Sequence, residues 1–91
     1  MSPLKRKKLN KIRIKLDKLD NSLIKLNKKR TNLVKKVLAL KDKKNQIVDQ
    51  KRINKILKDI KKKSLKNNID PKITNRIWKN MIWSYIDFER R

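Results

Sequence analysis

Residues 9–40 read LNKIRIKLDKLDNSLIKLNKKRTNLVKKVLAL, and this stretch decides the fold. Apolar residues recur in it at alternating steps of three and four, which is the heptad pattern of a long helix with one buried seam. We call this set the seam; its members are Leu9, Ile12, Leu16, Leu19, Leu23, Leu26, Leu33, Val37 and Leu40. A second stripe widens the same face and consists of Ile24, Val34 and Leu38. We therefore predict one helix from about Leu4 to about Lys41.

Two shorter helices are predicted after the long one. The polar run KDKKNQ indicates a break around Lys44–Gln46, and Asp49 is suited to cap a second helix that carries Ile53, Ile56, Leu57 and Ile60. The stretch KKKSLKNN, residues 61–68, is expected to be a polar linker. Asp70-Pro71 then fits the N-cap and first position of a third helix, whose apolar residues are Ile73, Ile77, Trp78, Met81, Ile82, Tyr85 and Ile86.

The length of the first helix indicates how the chains assemble. A helix of roughly 37 residues is about 55 Å long, whereas a compact globule of 91 residues has a diameter of about 30–35 Å. The seam therefore continues past what two short helices can cover, and a second copy of the chain is its natural cover. We predict a single all-α domain over residues 1–91, with three helices per chain, in an intertwined homodimeric helical bundle.

The composition excludes several kinds of chemistry. The chain has no cysteine, histidine or glycine, so it lacks a thiol nucleophile, the usual general base and metal ligand, and a glycine-rich phosphate loop. We expect no metal and no cofactor. Because no apolar run approaches membrane-spanning length and the basic N-terminus has no apolar signal core, we also expect a cytoplasmic protein with no membrane partner.

The charge keeps two other classes of function open. Thirty Lys and Arg residues against eight acids give a formal net charge of +22, which predicts non-specific, salt-sensitive binding of polyanions whatever the fold. A nucleic-acid-binding protein is therefore one alternative, although the chain has no recognised reader motif and few aromatic residues. A structural coiled-coil adaptor is another alternative, but it would explain the heptads without explaining Arg30.

Arg30 interrupts the seam at the heptad position between Leu26 and Leu33. Its guanidinium either extends out of the seam towards water or binds an anion in an internal cavity, since a buried and unpaired charge is costly. Lys41 lies eleven residues later and faces the same way as Arg30. Arg13 lies seventeen residues earlier and faces another way, so Arg13 and Arg30 would meet at one ligand only if Arg13 reached into a partner subunit.

Glu89 is a second charge on an apolar face. It lies four residues after Tyr85 and seven after Ile82, so it continues the apolar face of the third helix. A carboxyl group placed there would be partly desolvated, which favours its neutral form. The alternative is an exposed acid at a frayed C-terminus.

These features together resemble the all-helical (AroQ-type) chorismate mutases from about residue 9 to residue 89. The run IRIKLDKLDNSLIKLNKKRTNLVKKVLALK resembles their first helix, with Arg13, the LDKLD motif at 16–20, Arg30 and Lys41. The segment IVDQKR resembles the start of their second helix, with Asp49 and Arg52 in binding positions. The segment NIDPKITNRIWKNMIWSYIDFE resembles their third helix.

The resemblance implies rearrangement of chorismate, a small dicarboxylate, to prephenate in sites that two subunits share. Arg13 of the partner subunit and Arg30 would bind the substrate carboxylates. Lys41 would contact a carboxylate and the ether oxygen, and Arg52 would order the substrate. Glu89, if protonated, would donate a hydrogen bond to the ether oxygen.

Three positions depart from the usual pattern of that family. Ile53 stands where many members have a glutamate that binds the substrate hydroxyl, Tyr85 replaces a common serine at a substrate-binding position, and Glu89 replaces a common glutamine. Ile53 and the SYI run at 84–86 resemble the isochorismate pyruvate lyase branch, which forms salicylate and pyruvate and is the alternative activity. On this basis, Ile53→Glu is expected to improve the use of chorismate if chorismate is the substrate.

Overall fold

The computed structural model describes residues 1–41 and 49–90, which form three α-helices and contain no strand. The helices are α1 (Pro3–Ala39), α2 (Gln50–Lys66) and α3 (Pro71–Glu89). The all-α prediction and the long first helix are confirmed, whereas the predicted break around Lys44–Gln46 lies outside the described residues. Among the helices described, none is both long enough and apolar enough to cross a membrane.

The chain divides into two compact units, Met1–Lys36 and Val37–Arg91. The first unit is formed by α1, and α1 has no buried residue anywhere along its length. Seam residues Leu16, Leu23 and Leu26 are 52%, 55% and 58% exposed. The apolar face that the heptads predict is therefore present on the helix and uncovered in the single chain.

The second unit contains an antiparallel hairpin of α2 and α3 around a small apolar core. Ile53 of α2 packs with Ile82 and Ile86 of α3, and Ile56 and Leu57 lie partly buried beside them. Because α1 contributes no buried side chain, these residues are the main apolar contact among the described parts of the chain.

Both predicted N-caps are confirmed. The Asp49 carboxylate accepts a hydrogen bond from the backbone N–H of Arg52 at 3.1 Å, and α2 begins at the next residue after Asp49. The Asp70 carboxylate accepts from the backbone N–H of Lys72 at 2.9 Å, and Pro71 occupies the first position of α3. Each cap satisfies one of the N–H groups that the first helical turn leaves without a partner.

The predicted polar linker at residues 61–68 is wrong for most of its length, because α2 continues to Lys66. The turn begins only at residue 67, and it is a Schellman motif. The Ile69 N–H donates to the Ser64 carbonyl at 2.9 Å, and the Asn68 N–H donates to the Leu65 carbonyl at 3.3 Å. Asn68 has a φ of 58°, so an asparagine occupies the left-handed position that most helix ends give to glycine.

A buried hydroxyl pair joins α2 to α3 beside this turn. Ser64 and Thr74 are 4% and 8% exposed, and their hydroxyl oxygens lie 2.6 Å apart. The Ser64 hydroxyl also lies 2.6 Å from the Ile60 carbonyl oxygen, which can only accept. Since each hydroxyl has one proton, Ser64 donates to Ile60 and Thr74 donates to Ser64. Thr74 has one other acceptor in range, the Pro71 carbonyl at 3.3 Å.

We expect Ser64→Ala to lower the free energy of unfolding by about 1–3 kcal/mol, because it leaves the buried Thr74 hydroxyl with a poor partner. Thr74→Val should be destabilising too, and the double variant should be less destabilised than the sum of the two. Urea unfolding monitored by circular dichroism measures all three. Ser84→Ala is the matched control, since Ser84 makes the same type of bond to the Asn80 carbonyl on an exposed face. Strict additivity of the two substitutions would contradict the pairing.

Candidate active site

Five of the seven predicted site residues belong to the second unit: Lys41, Asp49, Arg52, Tyr85 and Glu89. The packing of α2 on α3 explains why they fall at one end of it. The Ser64–Thr74 pair lies beside the turn, whereas Ile53 near the start of α2 packs with Ile86 near the end of α3. The start of α2 and the end of α3 therefore meet opposite the turn, and we call this region the open end of the hairpin.

Glu89 lies half-buried on the last turn of α3 at the open end. Desolvation by burial raises the pKa of its carboxyl above the usual value, and the positive charge of Lys41 opposes that rise. Ile86, only 4% exposed, lies three residues before Glu89, and the half-buried Tyr85 lies four residues before it. The sequence-based expectation that this carboxyl continues an apolar face is confirmed, and burial is the larger of the two effects on its pKa.

Lys41 follows the end of α1 and is half-buried. Its backbone N–H donates to the Leu38 carbonyl at 3.0 Å, which continues the helical turn and fixes where the side chain starts. The positive charge of Lys41 lowers the pKa of the Glu89 carboxyl, although less than burial raises it. The structure therefore places an ammonium group in the neighbourhood of a carboxyl that burial makes easier to protonate. These two residues are separated by 48 positions in the sequence.

Asp49 and Arg52 stand at the start of α2, and both are exposed. The Asp49 carboxylate already accepts the Arg52 backbone N–H, so Asp49 has a structural role in holding the first turn. Loss of such a cap costs about 1 kcal/mol. Reduced activity of an Asp49 variant would therefore not by itself identify a substrate contact, whereas the exposed Arg52 guanidinium extends from that anchored turn into solvent.

Ile53 is 7% exposed and belongs to the core of the second unit with Ile82 and Ile86. By the resemblance drawn from the sequence, this is the position at which many members of that family have a glutamate. A glutamate at position 53 would lose apolar packing and would bring a carboxylate into the core, which is costly unless the carboxylate is paired. Ile53→Glu is therefore a test of packing in this chain, and the expectation that it would improve the use of chorismate is abandoned.

The two remaining predicted residues, Arg13 and Arg30, lie on α1 in the first unit. Arg13 is exposed. Arg30 is half-buried, although Leu26 and Leu33 on either side of it in the seam are 58% and 60% exposed. The arginine is therefore more covered than its apolar neighbours, which is unusual for a charged side chain on a helix surface.

The chemistry available at the open end is electrostatic. Within residues 1–41 and 49–90 no group of three or more acidic residues is arranged to hold a metal ion. The end instead offers cations, Lys41 and Arg52, together with the carboxyl of Glu89, which is easier to protonate than an exposed acid. Such a set can hold an anionic molecule and donate a hydrogen bond to an oxygen that becomes negative.

A family model described as chorismate mutase type II matches residues 12–90, which is most of the chain. No curated protein and no solved structure matches the chain.

Proposed function

We propose that this chain, which belongs to the chorismate mutase type II family, rearranges chorismate to prephenate in a site that two copies of the chain build together. Membership of the family makes the protein an enzyme, an isomerase that acts on chorismate. The observation that carries the finer proposal is made at the open end of the hairpin, where burial raises the pKa of the Glu89 carboxyl and Lys41 lies close enough for its positive charge to oppose that rise.

The rearrangement suits a chain that has neither histidine nor cysteine. One C–O bond breaks and one C–C bond forms within the same molecule, so no nucleophile is needed and no proton is transferred. The enzyme has to hold the dianion in a compact shape and to stabilise the negative charge that develops on the ether oxygen. Lys41 and protonated Glu89 supply two hydrogen-bond donors for that oxygen.

The remaining site residues bind and order the substrate in this proposal. Arg30 binds one carboxylate, and Arg13 of the partner subunit binds the other, since one helix cannot direct both arginines at one ligand. Arg52 orders the bound substrate from a first turn that Asp49 holds in place. Tyr85, one turn before the catalytic carboxyl, lines the site.

The uncovered seam of α1 supports a homodimer. Eight of the nine seam residues lie on α1, which has no buried residue, and Leu40 directly follows it. A second copy of α1 would present a seam with the same heptad spacing. Two long helices packed seam to seam would remove both apolar faces from water. The proposal requires that this packing bring the partner's Arg13 into reach of the site on the other chain.

The isochorismate pyruvate lyase reaction remains the second candidate, and Ile53 favours it. An apolar residue at this position is typical of that branch, and here it is buried, so it offers no acceptor for the chorismate hydroxyl. Both reactions are pericyclic and both need the same cations, so the shape of the assembled site decides between them.

We expect purified protein to consume chorismate with a higher kcat/KM than isochorismate. The loss of chorismate absorbance and the formation of prephenate measure the first reaction, and salicylate fluorescence measures the second. Lys41→Met should lower the kcat of whichever reaction occurs by about a hundredfold or more, because it removes a donor to the ether oxygen and supplies no other. Faster formation of salicylate than of prephenate would identify the lyase as the native activity.

Mixing Arg13→Ala protein with Arg30→Ala protein should restore activity. In a fully exchanged equal mixture, half of the dimers are hybrids, and each hybrid has one site with both lesions and one with neither. The mixture should therefore reach roughly a quarter of wild-type activity. Each variant incubated alone is the control, and mass spectrometry of the native dimers verifies subunit exchange. No recovery in an exchanged mixture would rule out sites shared in this way.

Turnover should rise as the pH falls towards the pKa of Glu89, because only the protonated carboxyl donates to the ether oxygen. Burial raises this pKa, so the activity is lost as the pH increases through it. Glu89→Gln donates at every pH and should flatten the acid-side rise. Glu89→Ala should have a kcat about a hundredfold below that of the protonated wild type, the usual cost of one well-placed donor, and its profile should lack the acid-side rise.

The control for this pH profile is Asp87→Asn, which removes an exposed acid from the same helix and should keep the wild-type profile. A profile that is flat over the range in which the protein stays folded, together with an active Glu89→Ala variant, would exclude Glu89 from the mechanism.

A further inference from the structure

Two adjoining depressions lie on the surface of the α2–α3 hairpin. One lies between the helices and is lined by Leu57, Lys58, Lys61, Pro71, Lys72 and Asn75. The other runs along α3 and is lined by Lys72, Asn75, Arg76, Lys79 and Asn80. Because they share Lys72 and Asn75, they form one continuous surface, which we call the basic groove.

The charge of the basic groove is of one sign. It contains five cations, Lys58, Lys61, Lys72, Arg76 and Lys79, and none of the residues lining it is acidic. All five cations are exposed, so a bound anion would not require the burial of an unpaired charge. The groove therefore has a local excess of positive charge that a negatively charged ligand would neutralise by releasing counterions.

The shape of the groove favours an elongated ligand over a small anion. Lys72 and Lys79 are seven residues apart on α3, which is about 10 Å along the helix axis. Lys58 and Lys61 extend the same surface onto α2. A single phosphate or carboxylate group would occupy only part of this row, whereas a linear polyanion with regularly spaced charges would meet most of the cations.

The other side chains lining the groove indicate how such a polyanion would be bound. Asn75 and Asn80 carry amide N–H groups that can donate to phosphate oxygens. No aromatic side chain lines the groove, so bases would have no surface on which to stack. Leu57 is half-buried, which leaves little apolar surface for insertion into a membrane.

We propose that the basic groove binds the phosphate backbone of nucleic acid without sequence preference. The groove contains none of the residues assigned to chorismate turnover, and it is described entirely within the second unit of the chain. Nucleic-acid binding and catalysis are therefore separate properties of the protein, and the failure of one would leave the other unaffected.

The test replaces four groove lysines together, as Lys58→Gln, Lys61→Gln, Lys72→Gln and Lys79→Gln. The matched control replaces four exposed lysines that form a row along α1 away from the seam, as Lys7→Gln, Lys11→Gln, Lys18→Gln and Lys25→Gln. Each variant loses four charges from a net charge of +22. Circular dichroism and chorismate turnover, which should be unchanged, verify that both variants are folded.

Binding is measured by fluorescence anisotropy with a labelled duplex of about 20 base pairs, from about 50 to 200 mM salt. The groove variant should bind more than tenfold more weakly than wild type at about 50 mM salt. The slope of log K against log salt concentration should be smaller in magnitude by about three than the wild-type slope. The control should lose less than about threefold in affinity. A second duplex of unrelated sequence should give the same affinities.

Four results would overturn the proposal. The first is an equal loss of duplex affinity in the groove variant and the control, and the second is no binding of the duplex by wild type. The third is displacement of the duplex by inorganic phosphate at matched ionic strength. The fourth is a loss of affinity for phosphatidylserine vesicles, but not for the duplex, when the groove lysines are replaced. If the fourfold variant does not fold, the pair Lys72→Gln and Lys79→Gln, with Lys7→Gln and Lys18→Gln as control, gives the same comparison.

Discussion

The constraint on which the rest of this structure depends is the uncovered apolar seam of α1. A helix of 37 residues that has no buried side chain gains little from packing within its own chain, and packing is the main source of helix stability in proteins. The apolar core of the second unit is small, with three buried residues among those described. A homodimer would resolve both problems together, because the two seams would cover each other. Folding, assembly and the completion of a shared active site would then be one process, and stability would depend on protein concentration.

The pKa of Glu89 at the open end depends on two opposing effects, burial of the carboxyl and the positive charge around it. With a net charge of +22, the surroundings favour anionic forms of acids and attract an anionic substrate over a distance. At Glu89, burial nevertheless outweighs the nearby charge of Lys41 and raises the carboxyl pKa. In the proposed mechanism, the hydrogen-bond donor at Glu89 would therefore depend on local desolvation at the apolar face of α3. A dianion bound beside Glu89 would raise this pKa further, because negative charges disfavour ionisation of a nearby acid.

The sequence was sufficient for those features that are set by neighbouring residues. The heptads located α1 and the caps at Asp49 and Asp70 located the starts of α2 and α3, because both signals operate within one or two turns of helix. The same reasoning took residues 61–68 for a linker, because a polar run looks alike in a loop and on an exposed helix. The contact that holds α2 through this run is the pair of Ser64 and Thr74, and the partners belong to different helices. The approach of Lys41 to Glu89 and the burial of Ile53 depend on tertiary packing in the same way, so the sequence alone could not establish them.

In the proposed dimer, Arg30 would place a substrate-binding residue within the helix that holds the two chains together. The seam would be more stable with an apolar residue at this heptad position, since removal of a buried charge from an interface is often neutral or stabilising. In the single chain Arg30 is already more covered than Leu26 and Leu33 beside it. In the proposed dimer the seam would be covered as a whole, and a substrate carboxylate beside Arg30 would make a charge-assisted hydrogen bond in surroundings of low dielectric constant. Under that proposal Arg30 would connect substrate affinity to dimer stability, which is a physical reason for a charged residue in an otherwise apolar heptad.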